Sequence, residues 1–431
     1  MATLRHLVLH IRQYRSKHKL LYLLCGMIVF WAVFDGIISY ITPLLIVERG
    51  ISKTNMGLII GLSSLAGAIF DFIMCWIFKN ATHRRILIIM FVTCLLYPLI
   101  LWKAHTMGLF LLAMAIWGFY YDLHNISNFE FVGNHMPKAE HSSSFGLIHV
   151  AGALGYMVAP ILAGLIVGYA VDWKPFVMAW LFLLISLCFF AAFSASQKKK
   201  EEEVESLDIG ERIKPINLLL EFSLWHRIGK VIAPILVLTC LINTIDSFFW
   251  TVGPLLAESF AEYHEFAGFF MVAFTLPPLL VGWGVGSVTA KYGKKKTAFA
   301  GFILGSLILS SMFLFSEPIA LAAVVFLASS CIAFSWPAIN GVYADFIGET
   351  DSLSREVESM GDFFGNIGYI IGPILAGFLA DRLGNQAAFS ALGIISAIVA
   401  FILFRMTPKR IKIDTATDTP SHFAAVNEIE S

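Results

Sequence analysis

The chain has 431 residues, of which 58% are hydrophobic and 14% charged, and its mean hydropathy is +0.77. A water-soluble domain carries about 25% charged residues, so a soluble globular protein is excluded and the reading starts from a lipid bilayer. The 30 basic and 30 acidic residues balance, which excludes the basic footprint of a nucleic-acid-binding surface.

Residues 1–19 form a basic tail that runs straight into an apolar segment with no small-residue cleavage site after it. A retained first span is therefore expected rather than a signal peptide. A membrane-crossing helix takes roughly 17–25 mostly apolar residues. Twelve segments qualify: 20–42, 54–78, 86–102, 108–132, 144–168, 174–196, 231–253, 264–289, 297–315, 318–345, 358–380 and 386–404. No strand-like alternation occurs, so the expected fold is an all-α membrane protein. Residues 197–230 are the one long polar break, with Lys198-Lys199-Lys200 followed by Glu201-Glu202-Glu203. They are read as a linker between a six-helix N-terminal half (20–196) and a six-helix C-terminal half (231–404), with 405–431 as a tail.

All six cysteines (Cys25, Cys75, Cys94, Cys188, Cys240, Cys331) lie inside apolar runs. That implies neither a disulfide framework nor a zinc site, and no metal or cofactor is expected. With the N-terminus placed in the cytoplasm, the inside segments hold 25 Lys and Arg. The outside loops hold five: Arg49, Lys53, Lys103, Lys174 and Arg382. This bias predicts a multi-pass protein of the plasma (cytoplasmic) membrane with both termini inside. No Lys or Arg falls within any predicted span.

The halves repeat. Asp35-(x7)-Pro43-Leu44-Leu45 recurs as Asp246-(x7)-Pro254-Leu255-Leu256. Gly152-xx-Gly155-Tyr156-xxx-Pro160-Ile161-Leu162-Ala163-Gly164 recurs as Gly365-xx-Gly368-Tyr369-xxx-Pro373-Ile374-Leu375-Ala376-Gly377. Parallel repeats of six spans place a substrate site near the midplane between the halves.

Over residues 20–404 the sequence resembles the major facilitator superfamily. The six-plus-six pattern with a charged linker carries part of the resemblance. The run Gly286-Ser-Val-Thr-Ala290-Lys291-Tyr-Gly293-Lys294-Lys295-Lys296 carries another part. It is similar to the family's G-x-x-x-D-R-x-G-R-R loop, with Ala290 where the family has Asp. The matching run from Cys75 to Arg85 keeps only its basic end, Arg84-Arg85. The fifth-span Gly155-xxx-Ala159-Pro160-xxx-Gly164 partly matches the glycine–proline motif of proton-coupled drug exporters, and the eleventh span carries an equal copy. Close helix packing through small residues explains the same pattern. The resemblance implies alternating access, with Gly286, Gly293, Lys294, Arg84, Arg85, Pro160 and Pro373 in conformational roles. No phosphate-binding loop of the G-x-x-x-x-G-K-[ST] type occurs, so an ion or substrate gradient would supply the energy.

Ionisable residues inside a span are costly and usually face a cavity or a partner. Spans 3, 6, 9 and 12 hold none. The polar spans are 1, 4 and 7, with a weaker span 10. Candidate coupling and cavity residues are Asp35, Asp122, Asn125, Asp246 and Asn340, with Trp31, Tyr121, Trp250 and Trp336 as aromatic lining. Asp122 and Asn125 share one helix face, His124 and Asn128 another. Glu130 and Asp345 are expected at the cytoplasmic rim, closing an inner gate. Asp71 suits a capping or gating contact, and His149 is a weaker candidate. The spans offer no cation to clamp an organic anion, and an acidic aromatic cavity suits a neutral or cationic amphiphile.

These features predict a monomeric secondary transporter rather than an enzyme. Its partners are a small-molecule substrate, protons and the lipid bilayer. The leading reading is proton-coupled export of a lipophilic or cationic compound. The alternatives are an uptake permease for a small neutral nutrient and a transport-inactive membrane sensor.

Overall fold

The computed structural model describes residues 19–77, 83–136, 140–167, 170–201, 218–260, 267–281, 284–349 and 354–407. The tail 1–18, the linker residues 202–217 and the tail beyond 407 lie outside the described residues. So do 78–82, which include most of the polar part of the loop between the second and third spans. The Asp71 side chain is likewise not described.

The helices are α1 (Lys19–Glu48), α2 (Lys53–Ile77), α3 (His83–Lys103), α4 (Met107–His135), α5 (His141–Ile166), α6 (Lys174–Glu201) and α7 (Leu218–Glu258). They continue with α8 (Ala267–Val281), α9 (Val285–Tyr292), α10 (Lys294–Ser310), α11 (Pro318–Ile332), α12 (Ser335–Glu349), α13 (Ser354–Leu383) and α14 (Asn385–Met406). Ten runs are long and apolar enough to cross a membrane, among them the α11–α12 run Pro318–Tyr343, and α8 with α9 forms an eleventh as a bent pair. The 25-residue α2 completes the twelve. Helix extends into the predicted linker from both sides, to Glu201 and from Leu218.

Among the described residues one span predicted as continuous is bent, and another carries a short turn. The segment 264–289 bends by 66° between α8 and α9. Pro277 and Pro278 in α8 each remove a backbone donor, and Gly284 caps α9 without a side-chain hydrogen bond. The segment 318–345 is one span over Pro318–Tyr343, with a short turn between Ile332 and Ser335. Pro337 cannot donate to the carbonyl four residues earlier, so the turn falls at its head. Gly50, Gly293 and Gly384 take positive φ of 81°, 86° and 84°, which lets consecutive helices reverse in very few residues.

Two threonines on the central helices bond along their own helix, as an apolar surrounding favours. Thr42 donates to the Ile38 carbonyl at 2.7 Å and Thr251 to the Ser247 carbonyl at 2.7 Å. The helices α1 and α7 stand at the centre, with most of their residues buried. The outer helices turn long apolar side chains outward: Val92, Leu96 and Leu99 on α3, Val177, Leu181 and Leu184 on α6, Leu304 and Leu307 on α10, and Ile394, Ile398 and Ile402 on α14. These are spans 3, 6, 9 and 12, the ones without ionisable residues. An exposed apolar belt on such helices is what a lipid-facing surface requires.

The two halves use the same seam twice. In the N-terminal half α5 lies against α1, where a β-carbon at Gly155 would collide with the Val29 carbonyl. In the C-terminal half α13 lies against α7, where a β-carbon at Gly368 would collide with the Cys240 carbonyl. The later glycine of each motif packs across the halves instead. A β-carbon at Gly164 would sit 2.8 Å from the Gly268 nitrogen of α8, and one at Gly377 would strike the Lys53 carbonyl of α2. These crossings lie at the bundle end away from the linker, called the far end below.

Candidate functional site

The repeated motif places a tyrosine beside each seam, and each tyrosine holds an aspartate. Asp35 on α1 is 1% exposed. Its Oδ2 accepts the Tyr156 hydroxyl of α5 at 2.8 Å. Its Oδ1 accepts the Trp117 indole N–H at 2.9 Å and the Tyr120 hydroxyl at 2.5 Å, both from α4. Three uncharged donors from two helices thus surround a buried carboxyl. Trp117 and Tyr120 lie three apart on α4, on one face, so a single helix delivers two donors to one oxygen.

The second copy follows the same plan with fewer donors. Asp246 on α7 accepts the Tyr369 hydroxyl of α13 on Oδ2 at 2.8 Å. Asp246 is half-buried. The repeats are joined across the half interface, because Trp250 packs edge-on against Tyr156 with centroids 5.9 Å apart. Tyr121, half-buried on α4, packs against Trp31 with ring centroids 6.0 Å apart. It stacks on Trp117 at 5.1 Å. Trp31, 1% exposed, stacks on His124 at 3.8 Å and 9°. Asn128 holds the same imidazole at 3.3 Å. That histidine is thus packed between a ring and an amide on the helix face read from the sequence.

The remaining candidates are less gathered. The Asp122 carboxyl is directed at α2, with Oδ2 2.7 Å from where a β-carbon of Gly67 would lie. Asn125 is half-buried, while Asn340 and Trp336 on α12 are exposed. His149 on α5 is exposed. Pro160 and Pro373 are buried within α5 and α13. At the linker end, Lys294 bridges to Asp345 at 2.6 Å and donates to the Gly341 carbonyl at 3.0 Å. Both partners belong to the C-terminal half, so this contact ties α10 to α12. Gly293 supplies the turn that presents Lys294, and Gly286 is exposed on α9. Arg84 is half-buried, Arg85 exposed and Glu130 half-buried.

Sequence reasoning did not find the far-end seal. Tyr40 on α1 donates to Glu258 Oε1 on α7 at 2.7 Å. Asp381 at the end of α13 accepts the Lys53 N–H at 3.2 Å, the Thr54 N–H at 2.7 Å and the Thr54 hydroxyl at 2.5 Å. Lys53 Nζ donates to Asn385 Oδ1 at 2.6 Å. Each contact pairs one half with the other, and partners 218 to 332 residues apart leave no local spacing signal. The equivalence of Tyr156 and Tyr369 inside the repeat was the available clue to the aspartate partners.

Comparison with known proteins agrees with this architecture. The sequence model described as Major Facilitator Superfamily matches residues 23–247 and 235–429. The chain is 21% identical over 277 residues to a multi-drug resistance efflux pump PmrA homolog of Lactococcus lactis subsp. lactis (strain IL1403). That match covers 64% of this chain and 66% of the relative, just under two thirds of its length. Among solved structures, the nucleoside transporter NupG superposes with a TM-score of 0.70 at 14% identity, over 91% of this chain and 99% of that one. A bacterial homolog of the human lysosomal transporter Spinster, inward-facing and unoccupied, gives 0.69 at 11% identity over 93% and 99%. A peptide transporter, POT, gives 0.66 at 14% over 90% and 94%. The chain is an integral, multi-pass membrane protein, and it belongs to the Major Facilitator Superfamily of transporters.

Proposed function

We propose that this transporter exports a lipophilic or cationic small molecule by alternating access, driven by inward proton movement. The observation that carries this reading is Asp35. It is a buried carboxyl near mid-bundle, surrounded by Trp117, Tyr120 and Tyr156, with no cation bonded to it among the described residues. A charge there costs at least about 2.5–3.5 kcal/mol on insertion scales. Neutral donors offset part of that cost without fixing the charge, so the group can take up and release a proton as access changes. The aromatic rings around it suit an apolar or cationic substrate. On the charge-bias argument the far end faces outward, so its seal would close the site to the outside.

The efflux function of the Lactococcus relative points the same way. A substrate screen in proteoliposomes, with and without an imposed pH gradient, tests the proposal. Accumulation of a lipophilic cation that collapses when the gradient is dissipated is expected. Gradient-independent uptake of neutral nutrients alone would replace export by the permease reading.

A further inference from the structure

Two carboxylate–tyrosine pairs of the same design differ in how many donors each holds. Both oxygens of Asp35 are occupied, by three donors in all. Among the described residues Asp246 has one donor, Tyr369, on one oxygen. The difference lies in the helix before each tyrosine helix, α4 in one half and α12 in the other. Asn125 and Glu130 recur as Asn340 and Asp345 at an offset of 215. The same offset carries Trp117 onto Ile332, which has no donor, and Tyr120 onto Ser335. Ser335 turns away, donating to the Ala298 carbonyl of α10 at 2.8 Å. Both α4 donors are therefore missing from the second copy.

A half-buried carboxylate with an oxygen that no described protein group fills is open to a donor that enters from the cavity. The surroundings restrict what that is. Trp250 lies one turn beyond Asp246 on the same face of α7, half-buried and leaning on Tyr156 across the half interface. A carboxylate oxygen beside aromatic faces matches a group that is at once an N–H donor and a cation.

We infer that Asp246, with Tyr369 orienting it and Trp250 as a wall, is the subsite for a substrate ammonium group. Asp35, filled by its own half, takes no direct part in holding substrate. The ammonium N–H groups bond to the open oxygen of Asp246 while the Tyr369 hydroxyl keeps the other. This rests on the proposed export of cationic compounds and narrows it to protonated amines. It also reverses the weight that position near the middle of a span gives to Asp35 as a substrate contact.

The test uses purified full-length protein and two fluorescent probes. One is a dansyl-labelled hexylammonium, and the other is its N-acetylated, uncharged counterpart. Wild type is expected to bind the ammonium probe more tightly. Asp246→Asn should weaken that binding by about tenfold or more, the scale of a lost charge-assisted hydrogen bond, and leave the acetylated probe within about twofold. Asp35→Asn should lower ammonium affinity less than Asp246→Asn does. Asp246→Glu keeps the charge and should recover part of the loss, which also reports a folded site. Unchanged ammonium affinity in Asp246→Asn overturns the inference, as does an equal loss for both probes. Wild type that binds and transports only the acetylated probe removes the ammonium subsite and leaves lipophilic export standing. Wild type that binds neither probe removes both.

Discussion

The Asp381 carboxylate at the end of α13 caps the first turn of α2 by accepting the Thr54 N–H at 2.7 Å and its hydroxyl at 2.5 Å. Helix capping normally comes from the residue just before the helix. Here Ser52, just before the helix, accepts the Asn55 N–H at 3.2 Å, and the other half of the molecule lends a second cap. It satisfies an orphan donor and sets a negative charge at a positive helix end. Both benefits vanish when the far end opens, so the cap belongs to one state of the transport cycle.

Asp381→Ala is therefore expected to weaken the closed far end. A cap is worth about 0.5–2 kcal/mol, which shifts the closed-to-open ratio by roughly two- to thirtyfold. Spin labels on Asn55 and Leu383, both exposed, would report the change as a new population of longer distances. An unaltered distance distribution in Asp381→Ala would show that the cap does not hold the gate.

The helix seams make a stability prediction with opposite signs at two glycines. A β-carbon at Gly368 would collide with backbone of α7, which has no rotamer to yield. Gly368→Ala should destabilise the protein by about 1–3 kcal/mol, the usual cost of overpacking. At Gly146 on α5 nothing lies within 4 Å. Gly146→Ala should be neutral or stabilising by up to about 1 kcal/mol from helix propensity. Thermal melts of the two variants in the same detergent decide the matter, and equal losses would refute the seam.

Orientation is testable without a substrate. A membrane-impermeant amine reagent should reach Lys103 and Lys174 from outside and residues 197–230 only from the cytoplasm. Both lysines terminate or begin helices at the far end. Labelling of the linker from outside would reverse the reading of the positive-charge bias.

The spans and the two-fold repeat were legible in the sequence because hydropathy and repeated spacing report on burial directly. Span 8 was not legible as a bent pair. Its composition is apolar throughout, and only the Pro277-Pro278 pair with nearby glycines signals the break. Asp35 and Asp246 stood out as charges inside apolar runs. Their tyrosine partners did not, since a tyrosine in such a run reads equally well as packing. Asp122 shows the converse limit. Its depth in the span suggested the cavity, but the rotation of α4 points its carboxyl at Gly67 of α2. The far-end seal depends on how the halves dock, which no local pattern encodes.

Asp35→Asn is the strongest test of the proton mechanism, because the site can accept asparagine with little rearrangement. The Trp117 indole can only donate, so the amide oxygen must take the place of Oδ1, facing Trp117 and Tyr120. The amide nitrogen then faces Tyr156, whose hydroxyl can reverse and accept. The network survives with one hydroxyl turned, so folding and substrate entry should persist. What is lost is the proton site. In proteoliposomes Asp35→Asn is expected to abolish accumulation driven by a pH gradient while keeping downhill exchange within a few-fold of wild type. Asp246→Asn is expected to weaken both together, through affinity. Wild-type accumulation by Asp35→Asn, measured in the same vesicles that show normal exchange, would remove Asp35 from coupling. The search for the proton site would then move to Asp122, the acid near the middle of α4.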